Sequence, residues 1–125
     1  MMEYIAVMLG GALGALSRYL TSSFINKILG ISFPAGTLFV NTLGSFILVF
    51  FTVLTIERLS IDPLWRLFFA VGFLGAFTTF STFSYETISL FQDGEILKGV
   101  LNIIVNNLFS ISAGIVGFIL ARAII

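Results

Sequence analysis

Long runs without a charged residue are the feature that most restricts what this chain can fold into. Residues 28–56, 67–85 and 99–121 contain no Asp, Glu, Lys or Arg, and a helix needs roughly 20 mainly apolar residues to cross the ~30 Å hydrocarbon core of a bilayer. Only 10% of the chain is charged and its mean hydropathy is +1.14, whereas about 25% of a soluble domain is charged. The sequence therefore predicts an all-α integral membrane protein.

A fourth span is expected near the N-terminus, where the apolar pattern continues although Arg18 lies inside it. Short connections with Gly, Pro or Ser separate the spans and leave no room for a soluble domain. We predict a single transmembrane domain over residues 1–125, with four transmembrane helices at about 4–26, 34–57, 66–91 and 98–122.

The residue types that are missing exclude several classes of function. The chain has no Cys and no His, and its net charge is zero, so disulfides, thiol nucleophiles, imidazole bases and the commonest zinc ligands are ruled out. No basic run indicates nucleic-acid binding. No nucleophile and base pair, metal cluster or phosphate loop is visible. We expect neither an enzyme nor a partner in nucleic-acid binding.

Positive residues are divided almost evenly between the two sides of the predicted bundle. They are Arg58, Arg66 and Arg122 on the side of both termini, Lys27 and Lys98 on the other, and Arg18 leaning toward the second side. Because an excess of Lys and Arg in one set of loops sets orientation, this balance gives little bias. Insertion in both orientations and a fixed topology set by other factors both stay open.

Polar residues recur at helical spacing within two of the predicted spans. They are Thr37, Asn41 and Ser45 in the second span, and Asn102, Asn106 and Ser110 in the fourth. A single polar residue in a membrane helix often only bonds a neighbouring helix or its own backbone. Stripes on several helices instead favour one polar path through the bundle.

The stretch GAFTTFSTFSYE, residues 75–86, places hydroxyl groups inside an apolar span. If this stretch is helical from residue 79, Thr79, Thr82 and Glu86 form a polar track that ends in a carboxylate. Ionisable groups in the membrane are costly and usually functional, so the track is a candidate site.

Phe80 and Phe83 lie one turn apart beside this track. An aromatic ring has a positive edge, and the amide of Asn41 and nearby hydroxyls donate hydrogen bonds. Together these groups can replace part of the hydration shell of a compact anion. The alternative is that both phenylalanines only pack against lipid or protein, as most of the 15 in this chain are expected to do.

The helix that contains this stretch is expected to break near residues 75–79. Gly72 and Gly75, with β-branched and aromatic neighbours, make a poor helix interior. Carbonyl groups left unpaired by a break at membrane depth must face protein, water or an ion. Such carbonyls can bind a small cation such as Na⁺.

Three segments resemble one known family. GGALGALSRY (10–19), PAGTLFVNTLGSF (34–46) and GFLGAFTTFSTFSYE (72–86) resemble the Fluc/CrcB-type fluoride channels of microbial membranes, in the same order and over nearly the whole chain. The resemblance implies an antiparallel, dual-topology homodimer in the inner cell membrane, surrounded by lipid. It also implies a broken third helix, two pores, and passive export of F⁻.

The resemblance assigns roles to individual residues. It implies a fluoride pathway at Phe80, Phe83, Asn41, Thr37, Ser81, Thr82, Glu86, Asn106 and Ser110. It places Arg18 at a vestibule that draws anions, and a structural Na⁺ at the dimer interface on the backbone carbonyls of Gly75 and Thr78.

Two other functions stay open from the residues alone. The first is a small proton-coupled exporter of organic cations, which needs a carboxylate deep in the bundle and finds only Glu86 as a candidate. The second is a structural subunit without transport, in which Asn41, Phe80 and Phe83 serve packing alone.

Overall fold

The computed structural model describes residues 1–124 and is all helical. Its elements are α1 (Met2–Leu29), α2 (Ala35–Glu57), α3 (Pro63–Arg66), a π-helix (Leu67–Leu74), α4 (Gly75–Phe77), α5 (Phe80–Gln92) and α6 (Ile96–Ala123). The third span, Pro63–Gln92, runs from α3 through α5. With α1, α2 and α6 it makes 4 helical segments that are long and apolar enough to cross a membrane, so the chain is a multi-pass membrane protein.

Local side-chain chemistry sets the ends of these elements. α1 stops at Gly30, which adopts the left-handed backbone conformation with φ 58° that glycine accepts without strain. The Asn26 side chain then accepts a hydrogen bond of 2.8 Å from the Gly36 N–H and so ties the start of α2 to α1. α3 begins after Asp62, whose carboxylate accepts from the Leu64 N–H at 2.9 Å.

Two residues with extended backbone separate α4 from α5. Thr78 has φ −92° and ψ 157°, and Thr79 has φ −152° and ψ 120°. The Thr79 hydroxyl accepts from the Thr82 N–H at 3.1 Å. Thr79 is therefore the N-cap of α5 and not the first residue of a helical track, because its hydroxyl replaces a carbonyl that the first turn lacks.

α1 packs against the early part of the third span by close backbone contact. A Cβ added at Gly10 would collide with the carbonyl oxygen of Phe68, and one at Gly14 with that of Phe73. A Cβ at Gly72 would lie 2.8 Å from the Val7 carbonyl oxygen. These glycines allow the two helices to approach closely, which is how small residues act in membranes.

The later part of the third span has a different partner. α5 packs mainly on α6, which in turn packs along α2. A Cβ added at Gly117 of α6 would lie 2.6 Å from the Phe46 carbonyl oxygen of α2, so these two helices are also in close contact. The gap between α4 and α5 therefore lies between two packing units, α1 with residues 63–77, and α2 with α5 and α6.

Candidate functional site

A cavity of about 210 Å³ lies beside the gap between α4 and α5, against α2 and α6. It brings together five of the residues that the sequence proposed for one path, namely Asn41, Phe80, Phe83, Asn106 and Ser110. Ser45, Thr78, Thr79, Asn107 and Ile111 complete its wall. The stripes on the second and fourth spans and the phenylalanine pair thus converge on one space.

Asn41 fastens the gap to α2. Its Oδ1 accepts from the Thr79 N–H at 2.8 Å, and its Nδ2 donates to the Thr79 carbonyl at 3.1 Å. The side-chain amide thus pairs with both backbone groups of one extended residue. An interrupted helix at membrane depth needs such partners, since unpaired backbone groups are costly there.

A chain of amides continues from Asn41 into the bundle. The Asn41 Nδ2 also donates to Asn106 Oδ1 at 3.1 Å, and the Asn106 Nδ2 donates to Asn102 Oδ1 at 2.8 Å. The Asn102 Nδ2 donates to the Thr87 hydroxyl at 2.9 Å, and that hydroxyl donates to the Phe83 carbonyl at 2.8 Å. This series of hydrogen bonds connects α2, α6 and α5.

The two phenylalanines of the cavity meet edge to face. The ring centroids of Phe80 and Phe83 are 5.3 Å apart and the ring planes are inclined by 72°. Phe83 is buried, whereas 74% of Phe80 is exposed. This geometry turns the edge of one ring toward the face of the other, as the charge distribution of aromatic rings favours.

Several hydrogen-bond donors of the cavity are free within the described chain. In residues 1–124, the Ser45 and Ser110 hydroxyls make no hydrogen bond to protein. The backbone N–H of Phe80, which lines the cavity at the start of α5, also donates to no protein acceptor there. A helix N-terminus carries partial positive charge, so the cavity wall can bind an anion.

Arg18 lies at the other side of the gap. Its Nε donates to the Ala76 carbonyl at 3.0 Å, at the C-terminal end of α4. No N–H group in residues 1–124 donates to the carbonyls of Gly75 or Thr78. The same described range holds no group of three or more His, Cys, Asp or Glu that could hold a metal ion.

Other residues of the expected pathway lie outside this cavity. Ser81 and Thr82 form a hydroxyl cluster with Thr79, whose Oγ1 is 3.4 Å from the Ser81 Oγ and donates to the Thr82 Oγ1 at 3.0 Å. Glu86 lines a separate opening of about 300 Å³, beside the buried Thr37 of α2. One carboxylate oxygen of Glu86 is buried without a hydrogen-bond partner among residues 1–124.

Sequence reasoning missed part of the site. Thr87 belonged to no proposed stripe, although it follows Phe83 by one helical turn. Asn102 belongs to the polar stripe on α6 but not to the pathway residues that the resemblance implies, and it is completely buried. The spacing of Asn102 and Asn106 signals a shared helix face, but no pattern in the sequence states which α5 residue meets them.

These features define a class: a small multi-pass membrane protein with a polar, aromatic-lined cavity at an interrupted helix, as channels and transporters have. Residues 5–118 match the model of the family described as CrcB-like protein, Camphor Resistance (CrcB). The chain belongs to this family, which confirms the resemblance found from its motifs.

Relatives match almost end to end. A protein of Sulfurihydrogenibium sp. named "Fluoride-specific ion channel FluC" is 48% identical over 122 residues, 98% of each chain. Proteins with the same name from Legionella pneumophila (strain Lens) and Thermotoga petrophila are 48% and 45% identical, over 98% and 97% of this chain and 91% and 95% of theirs.

Proposed function

We propose that this chain is a fluoride-selective ion channel that lets F⁻ leave the cell passively through the cytoplasmic membrane and so prevents fluoride toxicity. The observation that carries the proposal is the single cavity that joins the phenylalanine pair to free hydroxyl and N–H donors. It is supported by near full-length relatives that are named fluoride-specific ion channels. A proton-coupled exporter is not favoured by these names.

The chemistry of the cavity suits a small, strongly hydrated anion. Removing an isolated ion from water into a medium of low dielectric costs tens of kcal/mol, so its water ligands must be replaced. The Ser45 and Ser110 hydroxyls and the Phe80 N–H at the start of α5 supply hydrogen bonds. The edges of Phe80 and Phe83 supply weaker positive charge. Thr37, Ser81, Thr82 and Glu86 extend this path beyond the cavity, and Arg18 attracts anions toward it.

Flux from liposomes tests the function. Purified protein, reconstituted at low density with a fluoride gradient, should dissipate that gradient when a K⁺ ionophore balances charge, and should pass Cl⁻ far more slowly. A fluoride electrode reports the first and a chloride electrode the second. Equal rates for the two ions, or a fluoride rate equal to that of empty liposomes, would contradict the proposal.

The proposed assembly is an antiparallel, dual-topology homodimer. The exposed ring of Phe80 and the exposed amide of Asn107 both line the cavity at membrane depth, where polar or functional groups need cover. The even distribution of Lys and Arg removes a barrier to opposite orientations.

One introduced cysteine tests the orientation, since the chain has none of its own. Ser60 lies exposed in the loop after α2. In a dual-topology protein, a membrane-impermeant maleimide added outside the cell should label about half of a Ser60→Cys population, and permeabilised cells should allow full labelling. Labelling of all or none from outside would establish a fixed topology.

A structural Na⁺ at the dimer interface is also proposed. The carbonyls of Gly75 and Thr78 are free of N–H donors within residues 1–124, and carbonyl oxygens are ligands that Na⁺ accepts. A dimer would supply these two carbonyls from each of its copies. The thermal unfolding temperature in detergent should rise with NaCl and not with choline chloride at equal ionic strength; equal curves would remove the ion from the proposal.

A further inference from the structure

Thr87 and Asn102 form the most deeply buried part of the amide chain, away from the cavity wall. Asn102 has no exposed surface and Thr87 is 5% exposed. They join α5 to α6 through the bond of 2.9 Å between the Asn102 Nδ2 and the Thr87 Oγ1. Neither residue lines the cavity, so any influence on a passing ion must act through other residues.

The two ends of the amide chain fix the direction of every hydrogen bond along it. At one end the Thr79 N–H can only donate, so the oxygen of Asn41 faces it. At the other end the Phe83 carbonyl can only accept, so it takes the single hydroxyl proton of Thr87. The Thr87 oxygen must therefore accept from the Asn102 amide, and the same orientation passes along the chain to Asn41.

This orientation occupies all three amide oxygens. The oxygen of Asn102 accepts from Asn106, that of Asn106 accepts from Asn41, and that of Asn41 accepts from Thr79. An accepted hydrogen bond fixes where each amide oxygen points, so the oxygen does not swing toward a passing anion. The N–H groups of Asn41 and Asn106 are committed as well, so these amides form a rigid wall.

We infer that Asn102 and Thr87 are positioning residues for anion conduction: they fix the orientation of the Asn106 and Asn41 amides from behind. The inference rests on the proposed function. Without the Thr87 hydroxyl, Asn102 loses the acceptor that sets its orientation, and its amide can flip. A flipped Asn102 releases Asn106 and frees an amide oxygen near the ion path, which repels F⁻.

Two substitutions at position 87 separate the hydroxyl from its methyl group. Thr87→Val keeps the shape and removes the acceptor, so we expect fluoride efflux from liposomes to fall about tenfold, the size of effect that an unpaired buried donor produces. Thr87→Ser keeps the hydroxyl and should stay within about twofold of the unaltered rate. Equal rates for all three proteins would overturn the inference.

Thr55 provides a matched control. It is also 5% exposed, and its hydroxyl donates to the carbonyl of Phe51 at 2.8 Å, the same arrangement as in Thr87. It lies outside the cavity. Thr55→Val should therefore leave fluoride efflux unchanged, and a loss as large as that of Thr87→Val would show a general effect of buried hydroxyls.

A double substitution tests the orientation of Asn106 at the stability of the single variant. Thr87→Val with Asn102→Leu replaces both partners of one hydrogen bond by apolar groups, but it also removes the Asn102 oxygen that accepts from Asn106, so an N–H of Asn106 is left unpaired in place of an N–H of Asn102. The unfolding temperature of the double variant should lie close to that of Thr87→Val, and its fluoride efflux should stay about tenfold low because Asn106 has lost the oxygen that oriented it. If efflux recovers together with the unfolding temperature, both residues are only structural and the inference is wrong.

The unaltered protein, measured in the same assay, separates this inference from the function on which it rests. Fluoride efflux by the unaltered protein, with equal efflux by the Thr87→Val and double variants, refutes the positioning role alone. No fluoride efflux by the unaltered protein refutes the proposed function, and the positioning role with it.

Discussion

The two parts of the third span are held in the membrane by different forces. Residues 63–77 pack on α1 through glycines, and Phe69, Phe73 and Phe77 form a stacked column with centroid separations of 5.6 and 6.0 Å. The second part is instead fastened by side-chain hydrogen bonds, from the Thr79 cap to Asn41 of α2 and from Thr87 of α5 to Asn102 of α6. The first part is fixed mainly by close packing, aided by the Arg18 bond to Ala76, and the second mainly by donors and acceptors.

The difference shows how a short chain builds a polar site within lipid. Lipid tails are as apolar as the side chains, so helices associate through close packing and hydrogen bonds. Close packing tolerates no polar path, because it leaves no space. The hydrogen-bonded part can leave a cavity of about 210 Å³ and still hold its walls in place. The following predictions test this division.

The largest effect is expected from Asn41→Asp, in the hydrogen-bonded part. The substitution removes both N–H donors and places a negative charge beside the path of an anion, and two unit charges about 4 Å apart repel by about 4 kcal/mol at an effective dielectric constant near 20. We expect fluoride efflux to fall about a hundredfold or more. Asn41→Leu, which adds no charge, should conduct better; equal loss in both would show that charge is irrelevant.

The next effect is expected from Gly14→Ala, in the close-packed part. Its Cβ would collide with the Phe73 carbonyl, and overpacking of this kind costs about 3 kcal/mol. We expect a lower unfolding temperature and less folded protein. Gly11→Ala is the matched control, because its Cβ would lie 4.0 Å from the nearest atom, the Gly72 oxygen. Similar losses in both variants would contradict close packing at Gly14.

Phe80→Ile should separate function from stability. The ring is 74% exposed, so the free energy of unfolding should change little, whereas removing a ring interaction worth about 1 kcal/mol should lower fluoride efflux about fivefold. Phe24→Ile in α1 is the control, since Phe24 is 61% exposed and does not line the cavity. Unchanged efflux in Phe80→Ile would remove this ring from the path.

The smallest effect on fluoride efflux is expected from Arg18→Gln, at the boundary between the two parts. Loss of the charged hydrogen bond to Ala76 should lower the free energy of unfolding by about 1.5 kcal/mol. If Arg18 also attracts anions by its field, the loss of efflux should shrink between about 0.1 M and 1 M salt, where the Debye length falls from about 10 Å to 3 Å. If the loss of fluoride efflux does not depend on salt, Arg18 does not attract anions and serves only to stabilise the gap between α4 and α5.

Much of the candidate site could be predicted because its residues repeat at helical spacing. Asn41, Asn106 and Ser110 each belong to a stripe, and stripes on packed helices meet. Thr87 could not be found in this way, because its partner Asn102 lies 15 positions away on another helix. Helical periodicity states which face a residue occupies, but not which residue of a neighbouring helix it meets.

Charge-free runs and composition by themselves determined that the chain crosses the membrane as helices, because lipid leaves backbone groups no other partners. Only the tertiary structure decided that Thr79 caps α5, that Arg18 binds the Ala76 carbonyl, and that Glu86 lies apart from the main cavity. The last two outcomes depend on distances between separate helices, and close backbone contacts at glycines such as Gly10 and Gly14 help to set those distances.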